Sequence, residues 1–291
     1  MMQAQVLSAV VYRITRTINY GHKYVVDLKY ADNGGVCVSV VNSQGPRNKY
    51  PKDTSIRHFF FGESCLRYMD DSTERIILLE NQSIFYIKDV RQHSYKIYYE
   101  DNINTIWPRS SDIYIRYSPT RIALCKNNAI LICLWNHQVQ ERSMGKVVKT
   151  SFEKIRTIVS DGAFFEIESD KDKPLFRCPT YIAENGNEDI CVSDVNTVVV
   201  TDAGGLLRFR YKGLSDDPHF DPYGICCDSQ KNIIVADMMK NRIHMIDENG
   251  GFLHYIQYKN MDKPRALCID EHDNLYVGEW SSEEIKVLSP Q

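Results

Sequence analysis

No apolar run in this chain approaches the roughly 18–20 residues that a membrane-spanning helix needs; the longest runs, such as Ala129–Trp135, fall far short. Met1–Ala9 has no Lys or Arg ahead of its short apolar patch, so neither a secretory signal nor a membrane partner is expected. Paired cysteines are missing as well. The nine Cys are odd in number, scattered and without a Cys-x-x-Cys pair, which fits reduced core residues of a cytoplasmic protein better than a disulfide framework or a zinc site. Helical material is scarce: there are ten Ala in 291 residues, and no stretch repeats apolar residues at i, i+3, i+4 over a dozen positions. A coiled coil, a helical solenoid and a zinc finger are excluded on these grounds. The net charge of −3 is small, but it hides an imbalance. Residues 1–160 carry 22 Lys+Arg and 14 Asp+Glu, whereas residues 161–291 carry 13 and 24. Such asymmetry points to two surfaces made for different partners, or to a half that binds a polyanion.

What is present is self-similarity in the last third. Asp221-Pro-Tyr-Gly-Ile-Cys-Cys-Asp and its continuation to Asp237 echo Asp262-Lys-Pro-Arg-Ala-Leu-Cys-Ile-Asp and its continuation to Glu279. Pro222 pairs with Pro264, Cys226 with Cys268, Asp228 with Asp270, Asn232 with Asn274, Asp237 with Glu279 and Ile243 with Ile285, at a constant 42 positions. A third copy begins at Pro179 and sets Asp189, Val192 and Asp194 beneath Asn232, Val235 and Asp237. Each copy runs as short apolar or β-branched segments separated by polar turns, for example Gly224–Cys227, Ile233–Ala236, Ile243–Ile246 and Phe252–Tyr258. Four short strands at a period near forty make one blade of a β-propeller. The expected fold is all-β: a six-bladed propeller of four-stranded antiparallel blades in a single domain over residues 1–291. Clear repeats cover 179–291 and inferred blades cover 18–178. Blades begin near 25, 65, 120, 180, 223 and 265, with Cys65–Met69 opening the second. The last copy has no room for a fourth strand, so an N-terminal segment at about Gln5–Thr17 is expected to close the ring as its outer strand; a ring left open exposes sheet edges.

These residues resemble the NHL repeat. The similarity is clearest in Pro222-Tyr-Gly-Ile, Asn232-Ile-Ile-Val-Ala-Asp, Asn241-Arg-Ile and Asp247-Glu-Asn-Gly-Gly-Phe-Leu. Tyr181–Asp194 followed by Val198-Val-Val and Gly204–Gly213 is similar to the C-terminal propeller of tripartite-motif NHL proteins. That resemblance implies a recognition surface for protein partners or RNA stem-loops, in some relatives the substrate-reading end of a ubiquitin ligase. No Cys/His spacing here makes a RING or B-box zinc site.

In a propeller, residues just after the entry prolines and the loops between second and third strands line the mouth of the central channel. This places Tyr181, Tyr223, Arg265 and Arg121 at the mouth, with Met238, Met239 and Lys240 in one loop and Trp280 in the next. Exposed aromatics and Met beside Lys and Arg suit a protein interface. The alternative is RNA binding through blades one to three, where Arg47, Lys49, Lys52 and Arg57 surround Tyr50; DNA is not expected. An enzyme is not expected either. His244, His254 and His272 fall on a third strand, a fourth strand and a turn, and His22, His58, His93, His137 and His219 in connections or outer strands, so no imidazole serves a channel metal, and no metal or cofactor is anticipated.

Overall fold

The computed structural model describes residues 11–21, 24–31, 35–41, 56–61, 66–72, 75–78, 84–91, 94–100, 109–115, 118–127, 129–135, 145–151, 165–167, 169–170, 173–214 and 219–291. Among them there is no α-helix, only a 3-10 turn at Met238–Lys240. Apart from one two-stranded ribbon, the strands form four-stranded antiparallel sheets, all but the last built from consecutive segments. Sheet 1 holds β2 (Val25–Ala31), β3 (Gly35–Val41), β4 (Ile56–Phe61) and β5 (Leu66–Ser72). Sheet 2 holds β6 (Arg75–Leu78), β7 (Ile84–Arg91), β8 (Ser94–Glu100) and β9 (Arg109–Ile115). Sheet 3 holds β10 (Ser118–Leu124), β11 (Ala129–Trp135), β12 (Gly145–Ser151) and β13 (Phe165–Ile167). A two-stranded ribbon, β14 (Ser169–Asp170) with β15 (Lys173–Pro174), precedes sheet 4. Sheet 4 holds β16 (Tyr181–Glu184), β17 (Ile190–Asp194), β18 (Thr197–Thr201) and β19 (Leu207–Tyr211). Sheet 5 holds β20 (Pro222–Cys227), β21 (Ile233–Asp237), β22 (Arg242–Ile246) and β23 (Phe252–Ile256).

The last sheet takes β24 (Pro264–Ile269), β25 (Leu275–Glu279) and β26 (Glu284–Pro290) from the end of the chain and β1 (Tyr12–Asn19) from its beginning. β1 runs antiparallel to β26, with Tyr12 opposite Pro290 and Asn19 opposite Glu284. The segment 5–17 expected for this place is matched in part: the strand begins at Tyr12, and residues 1–10 lie outside the described residues. The first strands of the sheets touch in the order β2, β24, β20, β16, β10, β6, and β6 touches β2 again.

Two boundaries differ from the sequence reading. Leu66–Ser72 pairs with Ile56–Phe61 as the outer strand of sheet 1 and does not open sheet 2, which starts at Arg75. The segment Ile113–Leu124 is divided between the end of sheet 2 and the start of sheet 3. Alternating apolar residues mark a strand but not the sheet that receives it, and these regions lack the repeat signature that fixed the later copies.

Burial explains the composition of each strand. The second strands β17, β21 and β25 are buried at every position because neighbouring sheets cover both faces. The outer strand β19 alternates between buried or half-buried and exposed, having one face on solvent. The repeated Asp and Asn residues build the turns. Asn232 N–H and Nδ2 donate to Asp228 Oδ1 and Oδ2 at 2.8 Å each, and Asn274 repeats this on Asp270 at 2.8 and 2.9 Å. In sheet 4 the pair is reversed, Asn185 Nδ2 donating to Asp189 Oδ2 at 2.9 Å. At Gly224 the strands β20 and β24 approach so closely that a Cβ would lie 2.6 Å from the Arg265 carbonyl oxygen and 2.7 Å from Leu267 N, so only glycine fits.

Candidate functional site

The first residues of the inner strands and the connections after the second strands gather at one end of the channel. Arg265 follows Pro264 in β24, and its guanidinium lies over two rings, 4.2 Å from Trp280 and 5.1 Å from Tyr223. Trp280 meets Tyr24 at 5.2 Å, and Tyr223 meets Tyr181 at 6.3 Å between ring centres. Arg121 stacks over Tyr181 at 4.3 Å. From there the contacts return to β2: Arg121 Nη2 donates to the Val26 carbonyl at 2.7 Å and the Tyr181 hydroxyl donates to the same oxygen at 2.6 Å. Arg121 Nη1 donates to Thr120 O at 2.6 Å, and its Nε lies 3.6 Å from Asp27 Oδ2. The result is a collar of alternating rings and guanidinium groups, each cation on a π face worth up to about 2 kcal/mol when desolvated. Burial works against the Arg121 charge, but Tyr181 and Asp27 outweigh it and hold the guanidinium above its ordinary pKa. Burial, the largest influence on Tyr223, raises its phenol well above the usual value.

This geometry corrects the expected exposure of the mouth. Arg265 is 1% exposed, and Tyr181, Tyr223, Arg121, Met238 and Trp280 are all buried. The reason is spatial: inner strands that come as close as β20 and β24 leave little room at the axis, so flat rings and guanidinium groups fill it rather than line an open well. Met239, 55% exposed, and Lys240 alone keep the outward placement expected of them. Of the residues assigned to RNA, Arg47, Lys49, Tyr50 and Lys52 lie outside the described residues, and Arg57 falls in β4 opposite Val40.

Sequence reading missed Tyr24, the Val26 carbonyl and Asp27. Asp27 and Lys29 are charged residues in an otherwise apolar inner strand, and that contrast was the available signal. Arg121 and Arg265 stand at comparable positions but differ in satisfaction. Arg121 donates to two carbonyls and leaves only its Nε without a hydrogen-bond partner, whereas Arg265 lacks one at both Nε and Nη1. Beyond the collar the channel widens into a cavity of about 480 Å³. Among the described residues no group of three or more His, Cys, Asp or Glu is placed to hold a metal ion. Among the described residues no helix is long and apolar enough to cross a membrane.

No family model matches the chain. A stretch of 85 residues, 28% of this chain, is 32% identical to Protein lin-41 of Caenorhabditis elegans, of whose length it spans 7%. Similar solved structures include virginiamycin B lyase from Staphylococcus aureus, at 12% identity over 96% of this chain and 99% of that one, with a TM-score of 0.62. A gluconolactonase from Xanthomonas campestris follows at 11% identity, 98% and 95% coverage and a TM-score of 0.63. A chain of the nidogen/laminin complex gives 10% identity, 84% coverage of each chain and a TM-score of 0.56. The fold is that of a β-propeller. These likenesses overturn the expectation that the chain is not an enzyme, because a lyase and a lactonase stand among its fold relatives.

Proposed function

We propose that the chain is a six-bladed NHL-type propeller, one domain over residues 1–291, closed by β1 and serving in the cytoplasm as a recognition module whose channel-mouth face holds a protein partner. Support for closure comes from the β1–β26 pairing and from the circuit of contacts among the first strands. Support for recognition comes from the partial similarity to Protein lin-41 and from the fold shared with a chain of the nidogen/laminin complex.

The observation that carries the reading is the Met238–Lys240 turn. Met238 is buried while Met239 projects, and Asn241 holds a left-handed conformation at φ 52°. Asn241 Oδ1 accepts a hydrogen bond from Lys263 N at 2.9 Å, and Lys263 O accepts one from Trp280 N at 2.9 Å, so two adjacent loops are tied together. A large apolar side chain beside a cation, presented on a braced turn above a packed collar, is a preorganised anchor. Lysine-directed cross-linking followed by mass spectrometry should map the partner to Lys240. The double variant Met239→Asp, Lys240→Glu should lose at least tenfold in capture while keeping its Tm. Undiminished capture by the double variant, or a partner released by RNase, defeats the reading, the latter in favour of RNA.

A further inference from the structure

The chain holds three Asn-Gly pairs, Asn33-Gly34, Asn185-Gly186 and Asn249-Gly250. The first lies outside the described residues. Asparagine before glycine is chemically labile, because the following main-chain nitrogen is unscreened by a side chain and can attack the amide carbon, closing a five-membered succinimide. The fold treats the two described pairs in opposite ways. Asn185 is 1% exposed and its amide is fully engaged. Nδ2 donates to Asp189 Oδ2 at 2.9 Å, and Oδ1 accepts the N–H groups of Asn187 and Asp189 at 2.8 and 2.9 Å. Turning this amide toward Gly186 N breaks all three bonds in a buried site.

Asn249 stands exposed in the turn between β22 and β23. Its Oδ1 accepts one hydrogen bond, from Arg208 Nη2 of β19 at 3.0 Å, and among the described residues its Nδ2 donates to none. Gly250 is required by the turn: its φ is 90°, and a Cβ there would lie 2.7 Å from the Phe209 ring. Any side chain that could screen the Gly250 N–H is therefore excluded by the packing of β19. That N–H is held by the Asp247 carbonyl at 3.1 Å, a turn bond at the surface that local opening exchanges for water.

We infer that Asn249 is a site of spontaneous deamidation in the native protein and that the fold protects Asn185. Gly250 N gives its proton to solvent base and bonds to Asn249 Cγ; the Cγ–Nδ2 bond breaks, and the nitrogen leaves with a proton from water as ammonia. Water then opens the succinimide at either carbonyl. Opening at Cγ restores the normal main chain with an aspartate side chain at this position. Opening at the main-chain carbonyl leaves an isoaspartyl link that runs through Cβ and Cγ. The balance is one water in, one ammonia out and one more negative charge. The aspartate product makes a charge-assisted bond to Arg208. The isoaspartyl product adds a carbon to a main chain closed by Asp247 N donating to Gly251 O and by Asp247 Oδ1 accepting from Asn249 N and Gly251 N, at 2.8 Å each, so those bonds cannot all survive. This turn lies at the end of sheet 5 opposite Met238–Lys240, so the outcome below leaves the docking reading untouched.

The test incubates the intact chain at neutral and at mildly alkaline pH, beside the same chain unfolded in guanidinium chloride. Each sample is digested and mapped by mass spectrometry, with an isoaspartyl carboxyl methyltransferase as probe of the branched product. In the folded chain the Asn249 peptide should show the amide-to-acid mass change at a rate within tenfold of the unfolded chain. That rate should rise several-fold per pH unit, and the product should accept methyl groups. The Asn185 peptide should convert in guanidinium chloride alone. Asn249→Gln, whose amide stands one carbon too far along to close the same ring, should lose both signals at this peptide. The inference is overturned by Asn249 staying intact in the folded chain while it converts in the unfolded one, by folded Asn185 converting as fast, by a rate indifferent to pH, by a product that takes no methyl groups, or by undiminished signals in Asn249→Gln.

Discussion

His244 has no solvent exposure and is packed against the rings of Tyr211, Phe220, Phe252 and Tyr255. The Tyr211 hydroxyl lies 2.8 Å from Nδ1, while Nε2 faces Asp237 Oδ2 at 3.4 Å, an oxygen that also lies 3.6 Å from Arg242 Nη2. Burial is the largest influence on the imidazole and holds its pKa below the ordinary 6.5, outweighing the opposing pull of Asp237. The native state therefore keeps His244 neutral where the unfolded chain would protonate it. The stabilisation is complete above the unfolded value and is lost as pH falls through the lower folded one, at no more than about 1.4 kcal/mol per pH unit for one proton. Thermal melts between neutral pH and pH 5 should show Tm falling with pH, and His244→Phe should flatten the slope. His254, also lowered by burial, acts in the same direction. An unaltered slope in the variant would remove His244 from the account. The same comparison explains what the sequence could show at the mouth. Position in the repeat grouped Tyr181, Tyr223, Arg121 and Arg265, and ring and guanidinium contacts join the four. Tyr181 and Arg121 reach a carbonyl 155 and 95 residues away, which no local pattern encodes.

At the scale of the strand, the most consequential pairing joins the two ends of the chain. β1 covers β26 through seven partner positions from Tyr12↔Pro290 to Asn19↔Glu284, with one irregularity between Ile14 and Arg16. Its sequence neighbours are far from it in the repeat, so its place was legible only by elimination: the final copy lacks a fourth strand and the first segment lacks a sheet. The later sheets were legible directly, because the 42-residue echo carries strand, turn and corner residues together. The strands between 56 and 115 carry alternation without the echo, and there the boundary between sheets 1 and 2 was misplaced. Without β1, β26 becomes an open edge carrying Ile285, Val287 and Leu288, all buried in the intact chain. Deleting residues 1–19 should lower Tm by roughly 10 °C or more, at about 2–4 °C per kcal/mol for a domain of this size. A peptide of residues 11–21 added in trans should recover part of the loss. An unchanged Tm would mean that β1 contributes no closure.

For the whole molecule, the question is whether the sheets stand or fall together. A linear array of repeats is stabilised by nearest neighbours and frays from its ends, whereas a ring has no ends to fray. The free thiols are well placed to tell these apart. Cys37 lies in sheet 1, Cys125 and Cys133 in or beside sheet 3, Cys191 in sheet 4, Cys226 in sheet 5 and Cys268 in the last sheet, and all are buried. Burial is the dominant or near-dominant influence that raises these thiols, reaching about 12 for Cys37, so each is unreactive until its own sheet opens. Inter-sheet packing spreads the same constraint around the circuit: Leu28 and Val25 of sheet 1 share a core with Ala266, Cys268 and Ile285 of the last sheet. Pulsed alkylation in rising urea, read thiol by thiol by mass spectrometry, should therefore give one common midpoint for Cys37, Cys133, Cys191, Cys226 and Cys268. Half-exposed Cys227 should react before any of them. Earlier labelling of Cys37 and Cys268 than of Cys191 would show an open array that unravels at the junction of first and last sheets. In that case the collar of Arg121, Tyr181 and Val26, which depends on sheets 1, 3 and 4 being held in one circuit, would loosen at the same denaturant concentration.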